Sequence, residues 1–168
     1  MKKVLLVYYS LTGKTEQMAQ YISEGIRISG NEADMKKVTD IRSADDIAHY
    51  DGYIFGSPTQ FSDIAGPMKE FLLLARKANL RNKLGGAFGS YIHDGNAPVK
   101  IFEVMQNIFQ MEPFELGALN LKETLFEETG RGEPNRTRYV AGEVFGGTGE
   151  GMRACQDYGK VFAEKLGA

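Results

Sequence analysis

The stretch from Val4 to Glu16, VLLVYYSLTGKTE, most constrains the fold, because it passes from an unbroken apolar run through three hydroxyls and a glycine into a helical pattern. Four aliphatic residues followed by Tyr8 and Tyr9 suit a strand covered on both faces in a parallel sheet. The chain must then turn. Ser10, Thr12 and Thr15 bring side-chain donors, and Gly13 lets the backbone approach a ligand closely. The free amides and positive dipole end of the following helix point to the same place, so the stretch reads as a seat for a phosphate. A second reading stays open on these residues alone, a hydroxyl-rich N-cap on an ordinary first helix.

Two better-known phosphate loops are excluded. Gly13-Lys14-Thr15 ends like a nucleoside-triphosphate loop, but the pattern G-x-x-x-x-G-K-[ST] requires glycine five positions before Gly13, where Tyr8 stands inside the strand. The fingerprint G-x-G-x-x-G is also missing.

Strand and helix patterns then alternate. Met18, Ile22 and Ile26 recur every fourth position between Gly13 and Ser29, and Gly30-Asn31 stops that helix. Glu32 to Val38 alternates Ala33 and Met35 with charges, as expected at a sheet edge. Ser43-Ala44-Asp45-Asp46 predicts a short capped helix ending near Tyr50. Tyr53 to Ser57 is a second apolar strand, and Pro67 opens a helix with Met68, Phe71, Leu72 and Ala75 on one face. Leu84 to Ser90 carries three glycines, which suits a central strand approached closely by a neighbour. Pro98 starts a helix with the stripe Phe102, Met105, Ile108 and Phe109, ended by Pro113. Phe114 to Leu121 reads as a fifth strand, and the last helix spans about Arg153 to Leu166, burying Ala154, Tyr158, Val161, Phe162 and Leu166.

Five alternations predict an α/β domain, a parallel sheet with right-handed crossovers and helices on both sides. Ligands of such domains bind beyond the carboxyl ends of the strands at the topological switch point, where Ser10–Thr15, Ser57–Pro67 and Ser90–Pro98 should meet. The 168 residues, 42% of them apolar, are expected to form one domain, and only 122–150 is too long for an ordinary connection, which reads as an insertion around the fifth strand. Arg131, Arg136 and Arg138 in that segment suit either a solvated surface or reception of an acidic partner or nicotinamide phosphate.

Composition excludes several partners. A formal charge of −2 leaves no footprint for nucleic acid or an anionic membrane. No apolar segment is long enough to span a bilayer, and the N-terminal apolar run is too short for a signal peptide. Cys155 is the single cysteine, which precludes an internal disulfide and fits a reducing cytoplasm. With His49 and His93 the only histidines, no metal site and no catalytic residue is assigned.

Ser10-Leu11-Thr12-Gly13-Lys14-Thr15, in the form S-x-T-G-x-T, resembles the phosphate loop of flavodoxins and related FMN proteins. Gly56-Ser57-Pro58-Thr59, Pro67 with Phe71-Leu72, and Gly89-Ser90-Tyr91 are similar to the flavin loops of flavodoxins and of flavodiiron-type flavodoxin domains. The likeness covers residues 1 to about 118. It implies a flavodoxin-like three-layer αβα sandwich with a five-stranded parallel sheet in the order 2-1-3-4-5. It also implies FMN, with its phosphate on Ser10, Leu11, Thr12, Gly13, Lys14 and Thr15. The ring would lie among Pro58, Thr59, Gln60, Phe61, Ser62, Ser90, Tyr91, His93 and Gly95. Phe61 reads either as a shield for a ring face or as loop core. Tyr91 reads as the best stacking residue or as packing under the next helix, and His93 as a solvated histidine or a proton donor.

Ser57-Pro58-Thr59-Gln60-Phe61 also looks like the loop of WrbA-type NAD(P)H:quinone oxidoreductases, and Gly146 to Gly151 is similar either to their glycine-rich loop or to a hinge. The expected role is therefore an electron carrier between redox partner proteins, or alternatively an NAD(P)H-dependent quinone reductase. The absence of tryptophan and of strong acidity departs from most flavodoxins. The Tyr91-Ile92-His93-Asp94 loop departs from the WrbA type.

Overall fold

The computed structural model describes residues 1–126, 135–139, 142–146 and 150–168. The apolar opening run forms β1 (Lys3–Tyr8), and the 3.6-residue pattern after it forms α1 (Lys14–Ile28). Next come β2 (Glu32–Lys37), β3 (Gly52–Gly56), a two-stranded hairpin of β4 (Thr59–Gln60) and β5 (Asp63–Ile64), and α2 (Gly66–Ala75). The chain continues through β6 (Leu84–Tyr91), α3 (Asn96–Asn107), β7 (Glu112–Lys122), β8 (Asn135–Tyr139), β9 (Gly142–Gly146) and α4 (Glu150–Gly167).

The five parallel strands take the order β2-β1-β3-β6-β7, which is the 2-1-3-4-5 order expected of the flavodoxin-like fold. Beyond β7 the sheet goes on antiparallel through β8 and β9. These two strands fall within the segment read as an insertion. Arg136 and Arg138 lie on β8, whereas Arg131 and Gly147 to Gly149 lie outside the described residues.

Each sheet face has its own apolar core. On one side Met18, Ala19, Ile22 and Ile26 of α1 meet Cys155, Tyr158 and Phe162 of α4 over Val4, Leu6 and Phe88. On the other, Met68, Phe71 and Leu72 of α2 and Ile101 and Met105 of α3 cover Leu5, Val7, Tyr53 and Phe55. At about 2 kcal/mol for each fully buried large side chain, these two layers supply the bulk of the driving force.

Some helix limits differ from the sequence reading. The segment expected to be helical up to Tyr50 is a 3₁₀ turn over Ala44–Ile47, because its four residues close a capping box between Ser43 and Asp46 and then extend. In α3 the buried stripe is Ala97, Pro98, Ile101 and Met105. Ile108 stands 55% exposed, because the helix ends at Asn107 rather than running on to Pro113. The last helix begins three residues earlier than expected, and Val161 and Leu166 are only half-buried while Cys155 and Ala163 are enclosed.

Helices α1 and α4 pack backbone against backbone. A methyl group at Gly25 would overlap the Gln156 carbonyl, and one at Gly159 would overlap the Ile22 carbonyl. Between β6 and β7 the register jumps from Gly85 opposite Pro113 to Ala87 opposite Ala118. Tyr158 fills the interruption. Its hydroxyl accepts from the Ala87 amide at 3.1 Å and donates to the Gly117 carbonyl at 2.6 Å, replacing the missing ladder bonds.

Tyr158→Phe should therefore cost about 1–3 kcal/mol, since it leaves a buried amide and carbonyl without partners, and urea unfolding will measure the loss. Gly159→Ala should lower the melting temperature although helix propensity alone favours alanine by about 1 kcal/mol. A rise would show that α1 and α4 can separate without cost.

Candidate functional site

At the carboxyl end of β1, Tyr9 continues the pairing by donating its amide to Gly56 at 3.0 Å. Gly13 then turns the chain at φ +91°, a conformation that a side chain disfavours even though the space beside it is open. Ser10 organises the turn. Its Oγ accepts the amides of Gly13 at 3.1 Å and Glu16 at 3.2 Å, so both lone pairs are used and its proton points away from the helix. The amides of Leu11, Thr12, Lys14 and Thr15 donate to no other described residue. Among the described residues this leaves a concentration of outward donors at the start of α1, the arrangement an anion requires.

The three hydroxyls expected to act alike do not have the same surroundings. Thr15 is 1% exposed, and its Oγ1 pairs with Ser90 Oγ at 2.9 Å, linking α1 to the end of β6. Thr12 is exposed and donates to Glu123 Oε1 at 3.2 Å. Of the three, Ser10 is the one whose proton is tied to no hydroxyl or carboxylate among the described residues. Behind the turn, Glu16 faces backwards, accepting the Tyr8 hydroxyl at 2.8 Å and lying 3.9 Å from Lys37. Burial, and then that carboxylate, push the Tyr8 phenol up.

The second loop is braced at several points. Ser57 is buried, donates its amide to Phe88 at 3.1 Å and accepts the Ala65 amide at 3.2 Å on Oγ. Gly89 has no room for a methyl group because the Ser57 carbonyl lies against it. Phe61 and Ser62 form the two-residue tip between β4 and β5, with φ of +49° and +60°. Such a turn twists with the strands but strains residues other than glycine and asparagine. Lys100 of α3 donates to the Ser62 carbonyl at 3.1 Å and to Asp63 at 3.3 Å, and Ser62 Oγ donates to Asp94 at 2.8 Å. Lys69 pairs with Asp63 from the other side.

The third loop runs from Ser90 through Gly95. Asn120 of β7 donates to the Gly95 carbonyl and fills the space where a Gly95 side chain would stand. Thr59 Oγ1 accepts the Ala97 amide at 3.0 Å, joining the second and third loops at the start of α3.

The loops enclose a cleft of about 350 Å³, the size of a small-molecule site. Of the residues expected at the ligand, Leu11, Thr12, Pro58, Thr59, Gln60, Phe61, Ser62, Ser90, Tyr91 and His93 line it. Ser10, Gly13, Lys14, Thr15 and Gly95 lie outside its lining and shape the loops that bound it. Phe61 is fully exposed, which rules out its reading as loop core. Tyr91 is half-buried and His93 exposed. Three lining residues were not anticipated: Ile92, Asp94 and Glu123. The first two sit inside a predicted loop, but Glu123 comes from beyond the fifth strand, where no pattern marked it.

The donors at the start of α1 fit a phosphate, and a cleft walled by Tyr91 and Phe61 with polar edges at Thr59, Gln60 and Ser90 fits a flat heteroaromatic ring. FMN has both parts.

The bond from Lys69 first, then the Ile64 amide and Lys100, hold the Asp63 carboxyl down from 3.8 to about 2. A depressed carboxyl stabilises its folded surroundings above the ordinary value and releases that stabilisation as pH falls toward the folded value. The brace at the loop tip should accordingly be complete above about pH 4 and fail on the way to pH 2. Carbon-13 titration of Asp63 should show the low midpoint, and Lys69→Met should return it toward the ordinary range.

The sequence matches the flavodoxin family over residues 6–134. A relative called NAD(P)H dehydrogenase (quinone), from Rhodopseudomonas palustris strain BisA53, is 32% identical, with 98% of this chain and 96% of that one covered. Its counterpart in strain BisB18 is 31% identical at the same coverage. Among solved structures, a flavodoxin from the domain Archaea superposes with a TM-score of 0.79 at 24% identity over 99% of both chains. Rubredoxin oxygen:oxidoreductase from Desulfovibrio gigas gives 0.76 at 19% identity, with this chain matching 36% of its length. A WrbA-like protein from Agrobacterium tumefaciens gives 0.72 at 16% identity over 99% and 98% of the two chains. Sequence match, strand order and phosphate-loop geometry agree: the chain belongs to the flavodoxin family of FMN-binding redox proteins.

Proposed function

We propose that this protein holds FMN in the cleft and carries electrons between redox partner proteins in the cytoplasm, as one flavodoxin-like domain with 122–150 inserted around its fifth strand. The observation that carries this reading is the rim of the cleft. Leu11, Phe61 and Ile92 stand 66%, 104% and 58% exposed there, one from each loop. Large apolar side chains left in water around a ligand site suit transient contact with another surface.

Bound FMN supplies the redox chemistry, and the chain supplies seat and environment. Ser10 Oγ–H and the amides of Leu11, Thr12, Lys14 and Thr15 hold the phosphate. Tyr91 and Phe61 provide flat faces for the ring, and Pro58, Thr59, Gln60 and Ser62 border its polar edge. The Thr15–Ser90 pair keeps the phosphate turn at a constant distance from the ring loop. No helix among the described residues is long and apolar enough to cross a membrane.

A second reading, nicotinamide-dependent quinone reduction, is favoured by the relatives of that name that align along nearly the whole chain. The two readings separate in one assay. FMN-loaded protein is mixed with NADPH or NADH and a quinone. The carrier reading expects no reduction of flavin by either nucleotide, and reduction by dithionite or a separate reductase. Rapid turnover with quinone would establish the reductase instead. For the phosphate seat, Ser10→Ala should weaken FMN by about 1.5–3 kcal/mol, the size of a hydrogen bond to a charged group. Riboflavin, which lacks the phosphate, should bind the variant almost as it binds the parent.

A further inference from the structure

The edge of the sheet opposite the cleft carries a concentration of positive charge. Between Glu70 and Asp94 the chain has no acidic residue, and Arg76, Lys77, Arg81 and Lys83 fall within eight consecutive positions. All four side chains are exposed, and none forms an ion pair with a described residue. Lys3, Lys37, Lys69 and Lys100, by contrast, are paired with carboxylates. The backbone beneath the four cations is fixed. Leu80 is buried, Lys83 donates its amide to the Leu80 carbonyl at 3.1 Å, and Asn82 donates to the Gln110 carbonyl at 3.0 Å, tying the segment to the end of α3. Two aliphatic side chains stand in water beside it. Leu73, one turn before Arg76 and Lys77 on α2, is 70% exposed, and Ile108 at the end of α3 is 55% exposed.

Arg76 and Lys77 also complement the carboxyl end of α2, whereas Arg81 and Lys83 follow it in the turn that leads to β6. Glu70, Glu112 and, in the neighbouring 3₁₀ turn, Asp45 border the four cations without pairing with them, and Asp46 is taken up by the amides of Arg42 and Ser43. Taking the four cations from the formal charge of −2 leaves −6 for the rest of the chain. A nucleic-acid duplex or an anionic lipid leaflet extends well past four side chains and would meet that negative remainder, whose repulsion reaches about 8–10 Å in salt. A folded protein with a compact acidic patch would not.

We propose that this end of the molecule is a docking surface for a protein that presents carboxylates around one or two apolar side chains. The four cations steer the partner, and Leu73 and Ile108 supply the apolar contact. Docking here leaves the cleft open, because the eight residues of β6, about 23 Å of strand, separate Lys83 from Tyr91. The surface is therefore independent of what the cleft holds.

The test is nitrogen-15 NMR of the full chain titrated with a helical peptide that carries glutamates around two leucines, at about 20 and about 150 mM salt. The same peptide with serine for leucine, vesicles of phosphatidylserine and phosphatidylcholine, and a DNA duplex are titrated in parallel. Amide shifts should be confined to residues 73–83 and 108–112, with the leucine peptide binding more tightly than the serine peptide and about tenfold more weakly at the higher salt. Arg81→Gln combined with Lys83→Gln should weaken both peptides, and Leu73→Ser should narrow the difference between them. Equal binding of the two peptides, shifts spread over exposed lysines throughout the chain, tighter binding to the vesicles or the duplex, or no binding at all overturns the assignment. So do shifts at Leu11, Phe61 and Ile92, which would put the peptide at the cleft instead.

Discussion

Strands β1 and β3 end level with one another beside Phe88 of β6, and the site depends on that alignment. Tyr8 pairs with Gly56, and Gly56 with Phe88. One residue further on, Tyr9 donates to Gly56 and Ser57 donates to the Phe88 carbonyl. The first two loops therefore leave the sheet from the same height, and β6 runs on past them to Tyr91, where the third loop begins. Parallel pairing with glycine at Gly56 makes this possible, because a side chain there would collide with the Phe88 ring. The buried Thr15–Ser90 hydroxyl contact carries the alignment one layer higher, from the sheet to the start of α1. A phosphate turn and a ring loop so connected cannot drift apart without exposing two hydroxyls that are now paired.

The core behind the loops is specified by a few close contacts as much as by apolar area. Gly25 and Gly159 let α1 and α4 touch along their backbones, so the first helix is held by the last one in the chain. Tyr158, on that same α4, closes the irregularity between β6 and β7. The end of the chain thus stabilises both the helix that presents the phosphate donors and the strand that leads to the ring loop. Cys155 lies in the same interface, fully buried, and its enclosure pushes the thiol well up. It sits away from the cleft, where a thiolate could attack or bind metal only after the helices part.

Elements with a strong period were legible in the sequence. The α1 stripe of Met18, Ile22 and Ile26, the α2 stripe of Met68, Phe71, Leu72 and Ala75, and the parallel sheet follow from apolar spacing and alternation, while the strand order came with the family resemblance of the loops. Short and polar features were less so. The end of α3 depends on tertiary packing, which leaves Ile108 in water and tucks Phe109 under the sheet. The meeting of three loops could be argued from topology, but the partner of each hydroxyl could not. Nothing local to Thr12 announces a carboxylate more than a hundred residues away, and nothing local to Thr15 announces Ser90. Lys100, Lys69 and Asp63 were equally hidden, because their contacts join a hairpin to two separate helices.

The hairpin tip shows where stability is spent. Phe61 and Ser62 both adopt left-handed backbone conformations, each costing on the order of 1–3 kcal/mol in a residue without glycine's freedom. Asp63, Lys69, Lys100, Asp94 and Asn96 supply the compensating contacts, and nearly all reach the backbone or carboxylates beside Phe61 rather than Phe61 itself. The brace thus fixes the peptide groups that border the cleft and leaves the Phe61 ring at the rim, open to water. A loop built only for stability would turn with glycine and bury the phenylalanine. This one holds a strained backbone in one conformation while its largest side chain stays accessible, which is what a site needs when the ring it borders must meet a second molecule and then release it.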